Sequence, residues 1–76
     1  MKIESKDPDA FRRVYEDSFA AMLRMTYSIT MDIEAAEDIC QEAFFRFYHR
    51  EGTFPSIEQA RFWLLRVSKN LAFNYY

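Results

Sequence analysis

The side chains able to do chemistry gather on two stretches of the chain. In the first, Glu34, Asp38, Gln41, Phe45 and Tyr48 recur at steps of three and four. At an α-helical advance of about 100° per residue they share one stripe, while Ala36, Cys40, Ala43 and Phe47, widened by Ile33, Ile39 and Phe44, form the apolar stripe behind it. A merely solvated face has no use for two large rings. The stripe therefore reads as a docking surface, an aromatic anchor with a charged rim. The plainer alternative is that early acids only complement the helix dipole.

The second stretch carries Phe62, Arg66, Lys69 and Phe73 on one side, flanked by Trp63, Asn70 and Asn74. Cations interleaved with rings suit single-stranded nucleic acid: the cations attract phosphates and the rings offer flat surfaces to unstacked bases. Asn70 and Asn74, one turn apart, add amides that can read base edges. Here the alternatives are that Trp63 and Phe73 pack inside the bundle or against a neighbouring domain, or that Arg66 stacks on Phe62 or Phe73.

Catalysis finds little support. His49 is the single histidine and has no nucleophile or base at a useful spacing. Glu34, Glu37, Asp38 and Glu42 could gather a cation, yet no Glu-x-x-His pair accompanies them. No glycine-rich phosphate loop is present. The sequence thus predicts a binding protein, not an enzyme, with no metal and no cofactor.

Both faces need helices to carry them, and the composition supplies these. The chain has 76 residues, half of them apolar, with eight Phe, five Tyr, one Trp, one Gly and two Pro. So little turn material in so apolar a chain predicts one all-α domain of a few long elements. Asp7 and Pro8 start a helix over about 8–28, and Ile29-Thr30-Met31 makes a short connection. Asp32 caps a second helix over 33–50, with acids early, His49 and Arg50 late, and Gly52 as its stop. Ser56-Ile57-Glu58-Gln59 is a capping-box pattern opening a third over 57–75, whose inward stripe is Ile57, Ala60, Leu64, Val67, Ser68, Leu71 and Tyr75. Short loops make this a small three-helix antiparallel bundle.

Net charge is −2, so any nucleic-acid contact must come from a local patch. Residues 32–42 hold five acids and no base, and residues 59–76 three bases and no acid. The lone Cys40 sits on the apolar stripe, which fits a reduced thiol in a cytoplasmic setting. No apolar run reaches the length of a membrane span, and the start, Met1-Lys2-Ile3-Glu4-Ser5, is too polar for a signal peptide.

Taken together, Ala36-Glu37-Asp38-Ile39-Cys40-Gln41-Glu42-Ala43-Phe44 and, downstream, Trp63-Leu64-Leu65-Arg66-Val67-Ser68-Lys69-Asn70 resemble region 2 of bacterial sigma factors of the extracytoplasmic-function (ECF) type. The likeness covers about residues 8–76. It implies a sigma-type domain that docks its second helix on a coiled coil of the RNA polymerase β′ subunit. By motif position Asp38, Gln41 and Glu42 would make the polar contacts, with Phe45 and Tyr48 beside them and Glu34 on the same face. It also implies opening of the promoter −10 element and capture of its non-template strand. Phe54 falls at a loop position that in the family helps form a pocket for a flipped-out base, while Trp63, Arg66 and Asn70 match the third-helix motif. Phe62, Lys69 and Phe73 join that surface by helix phase. An anti-sigma inhibitor is a further implied partner, and a module serving mainly as its target is the alternative reading. Complete members carry a second domain with a helix-turn-helix, and this chain stops before such sequence. The family often places an acid and then an arginine beyond the asparagine helix, where this chain has Asn74-Tyr75-Tyr76.

Overall fold

The computed structural model describes residues 2–75; Met1 and Tyr76, and the expectations that touch them, lie outside the described residues. Three helices form the bundle, α1 (Pro8–Thr30), α2 (Ile33–His49) and α3 (Ile57–Phe73). Each starts where an oxygen-bearing side chain can take orphan backbone donors. Asp7 accepts from the Asp9 N–H at 3.1 Å, with Pro8 next to it. Asp32 accepts from the Glu34 and Ala35 N–H groups at 3.0 and 3.2 Å. Ser56 accepts from the Gln59 N–H at 3.2 Å.

The helix ends differ from expectation. α1 continues through Ile29 and Thr30, because Met31 adopts the left-handed region (φ 56°) and its N–H closes onto the Tyr27 carbonyl at 2.7 Å. α2 stops at His49 with Arg50 already extended (φ −70°, ψ 132°). Gly52, at φ 95°, therefore does not cap the helix but makes the turn beyond it. α3 ends at Phe73, with Asn74 as its C-cap.

Two short strands were not foreseen. β1 (Ile3–Glu4) pairs antiparallel with β2 (Thr53–Phe54), placing Ile3 opposite Phe54 and Glu4 opposite Thr53. The pairing ties the N-terminal arm to the loop between α2 and α3. Ser5 strengthens the tie, its buried hydroxyl shared between the Tyr48 and Arg50 carbonyls at 3.4 and 3.3 Å.

The core gathers the buried rings Phe44, Phe47 and Phe54 among many small side chains. Phe47 is the largest fully buried residue, packed among Phe11, Phe54 and Trp63. Ala36, Ala43, Ala60 and Ala72 are fully buried and let the helix backbones come close. Ile33 and Tyr75 were expected on inward stripes, yet both are about half exposed (49% and 48%), Ile33 opening α2 and Tyr75 lying just past the end of α3. Buried hydroxyls mostly bond back one turn: Thr26 to the Met22 carbonyl at 2.8 Å and Ser68 to the Leu64 carbonyl at 2.8 Å. Ser18 is the exception, fully buried with no hydrogen-bond partner for its hydroxyl among the described residues.

An unpaired buried hydroxyl costs about 1–3 kcal/mol in desolvation. Ser18→Ala should therefore raise the urea midpoint, by about 1 kcal/mol in unfolding free energy. Phe47→Ala should lower it by about 3–5 kcal/mol. A Ser18→Ala domain less stable than the parent would show that the hydroxyl is satisfied.

Candidate functional site

The inward stripe of α2 fixes what the helix shows to solvent. With Ala36, Cys40, Ala43 and Phe47 buried, Glu34, Asp38, Gln41, Glu42, Phe45 and Tyr48 all lie exposed on its outer side. Phe45 is 61% exposed and leans on the His49 ring at 4.4 Å. Tyr48 stands edge-on to both His49 (5.2 Å) and Phe11 (6.1 Å), so its ring is held but not covered. Glu42 pairs with Arg46 at 2.8 Å, one turn on. Both partners are about half exposed, so the pair is weak and readily exchanged for a partner's cation. Among the described residues Glu34 and Asp38 form no ion pair. Carboxylates and rings are thus free to meet another surface.

On α3, Phe62 (52% exposed), Arg66, Lys69, Asn70 and Phe73 (59%) face solvent. Among the described residues the cation–π contact within this helix is Lys69 Nζ over Phe73 at 5.8 Å; the alternative in which Arg66 stacks on Phe62 or Phe73 is not seen. Trp63 is half-buried. One side of its ring packs on Phe47 and Phe54, with centroids 6.1 and 6.0 Å away, and the rest lines a surface cleft of about 260 Å³. Phe54 borders the same cleft but is 5% exposed, stacked on Phe47 at 5.5 Å. Strand alternation explains the difference from an open loop ring: in β2 Thr53 points out, so Phe54 points in. It contributes a wall, not a free face.

One cleft residue escaped the sequence reading. Arg50 places its guanidinium carbon 4.2 Å from the Phe54 centroid and 5.7 Å from that of Trp63, and with Arg66 it lines the cleft. The available signal was a cation four residues before a loop aromatic. In the sequence alone Arg50 is indistinguishable from an ordinary helix-end charge.

Other chemistry is sparse. Burial pushes the Cys40 thiol up from its ordinary value, an effect opposed by the Thr26 hydroxyl at 3.7 Å and reinforced by the Glu37 charge. Among the described residues no three His, Cys, Asp or Glu side chains gather as a metal site. No helix among them is long and apolar enough to cross a membrane.

The chain is thus a small helical bundle with one mainly anionic and one cationic aromatic face. The Sigma-70 region 2 family matches residues 11–76, and the chain belongs to that family. Over 70 residues it is 30% identical to the ECF RNA polymerase sigma factor SigW of Bacillus subtilis (strain 168). That alignment covers 92% of this chain but 37% of SigW, so the chain spans little more than a third of that relative's length. No solved structure gave a significant match.

Trp63 is the chain's single tryptophan, so its fluorescence reports on the cleft. Arg50→Ala should raise the acrylamide quenching constant of that emission, since the guanidinium shields one side of the ring. An unchanged constant would place Arg50 away from the indole in solution.

Proposed function

We propose that this domain serves transcription initiation as a bridge between RNA polymerase and an opened promoter. The outer face of α2 docks on the β′ coiled coil, while α3 and the β2 loop hold the non-template strand of the −10 element. The observation that carries the reading is the separation of the two faces onto different helices, one exposing rings beside mainly acidic groups and the other rings beside cations. Family membership supports the class of partner.

Physically, Asp38 and Glu42 suit bidentate pairing with arginines on a partner helix, and Gln41 can donate and accept beside them. Phe45 and Tyr48 supply the desolvated centre that such an interface needs. On the other face, opening duplex costs about 1.4 kcal/mol per stacked step on average. Bases leaving the stack regain roughly 1–3 kcal/mol each on an aromatic surface, here Phe62, Trp63 and Phe73. Arg66 and Lys69 hold the backbone, and Asn70 offers an amide to a base edge. The domain does no bond chemistry of its own in this scheme. An anti-sigma inhibitor would act by covering either face.

Two measurements test the two halves. Asp38→Ala combined with Gln41→Ala should weaken capture of the β′ coiled coil by about tenfold or more, the loss of charged hydrogen bonds at an interface. Unchanged capture refutes the docking face. Single-stranded −10 oligonucleotides should bind more tightly than scrambled ones, and Asn70→Ala should erase the preference. If the domain binds partner protein but shows no salt-dependent affinity for single strands, the purely protein-binding module is correct.

A further inference from the structure

We infer that Arg50 is a strand-contacting residue, which with Arg66 forms a phosphate clamp at the mouth of the Phe54–Trp63 cleft. The inference rests on the single-strand reading above and adds to it a residue that neither helix motif contains.

Three observations converge on it. First, Arg50 and Arg66 line one cleft of about 260 Å³ whose other walls are Phe54, Phe62, Trp63 and uncharged groups, with no acid among them. Two guanidinium groups sharing so small an opening repel each other unless an anion joins them. In a chain of net charge −2 that pairing is not a by-product of a general basic field. Second, neither arginine is neutralised: among the described residues the ion pairs are Arg46–Glu42 and Arg61–Asp17. Glu4 and Glu51 border Arg50 on its far side, yet neither is within ion-pair distance. Among the described residues the one side-chain hydrogen bond of Arg50 is Nη1 donating to the Glu51 carbonyl at 3.2 Å, which leaves its other donors for a ligand.

Third, Arg50 is already held in place. Its guanidinium lies over the Phe54 ring at 4.2 Å, and its backbone is fixed by the Ser5 hydroxyl on its carbonyl. A stacked arginine loses little freedom on binding and keeps its N–H edges free, the arrangement that suits a planar grip on phosphate oxygens. The ligand class follows from the cleft: a phosphodiester held between the guanidinium groups, with its neighbouring base against Phe62 or Trp63. Because β1 supports both Phe54 and Ser5, the N-terminal arm becomes part of what shapes this grip.

The test is titration of Trp63 emission with single-stranded oligodeoxynucleotides about eight nucleotides long, between about 50 and 200 mM salt. For Arg50→Gln we expect about tenfold weaker binding at the low-salt end. The slope of log K against log salt should shrink by about 0.7, the share of one phosphate on a single strand. Arg50→Lys keeps the charge and should keep the slope. Circular dichroism checks that each variant is folded. A ligand-side arm avoids the question of folding: a neutral methylphosphonate, moved one linkage at a time, should weaken wild-type binding at one position and leave Arg50→Gln indifferent there. An unchanged slope in folded Arg50→Gln, or no linkage that distinguishes the two proteins, overturns the clamp while leaving strand capture standing. Wild-type protein that binds no single strand at low salt overturns both.

Discussion

Phe47 is the side chain on which the rest of the structure leans. It comes from α2, is fully buried, and its ring meets Phe11 of α1 at 5.9 Å, Phe54 of β2 at 5.5 Å and Trp63 of α3 at 6.1 Å. A helix has one rotational freedom once its axis is placed, and burying Phe47 removes it. Phe45 and Tyr48, two residues before and one after, then have nowhere to go but outward. The same ring is the floor under Phe54 and Trp63, which carry the cleft between the β2 loop and α3. One inward-facing aromatic thus sets the phase of the acidic face and supports the basic one.

The sequence makes the helices and their phases legible because helix periodicity and N-caps are local signals. Asp7-Pro8, Asp32 and Ser56 act within three residues of themselves, and the side chain of each takes a backbone N–H at its helix start. What was illegible depends on contacts across the chain. The β1–β2 pair is two residues long on each side, too short for any period, and exists because Ile3 and Phe54 meet across about fifty residues of sequence. That contact also decides that Phe54 turns inward and that Gly52 forms the turn before β2. At Met31 a non-glycine residue takes a left-handed backbone that its type disfavours, so α1 outlasts the point where its pattern fades. Most of the candidate surface was readable from phase alone. Arg50 was not, because its meaning lies in two rings that the fold brings beside it.

Charge is arranged for short range. Five acids sit within residues 32–42 and three bases, without acids, within 59–76, while the total nearly cancels. At physiological ionic strength fields between exposed charges fade within about 8 Å, so each patch is felt only by a partner already near it. The rings beside the charges then determine whether a near encounter lasts. This division favours contacts that are selective in position over strong non-specific attraction to nucleic acid.

The distribution of side-chain size points the same way. Among fully buried residues are Ala36, Ala43, Ala60, Ala72, Ser18 and Ser68, whereas Phe45, Phe62 and Phe73 are more than half exposed. A chain of 76 residues built only to be stable would turn those rings inward, where each would add to a core that small domains can barely fill. Placing them outside lowers the free energy available for folding and raises the exposed apolar area, a combination that persists where function requires it. Small buried side chains compensate by letting the three helices approach closely around Phe47 and its neighbouring rings. The result is a small frame that leaves several of its large rings, Phe45, Phe62 and Phe73, on the outside. Stability and recognition therefore draw on the same limited set of aromatics, and the helix phase set by Phe47 is what divides that set between them.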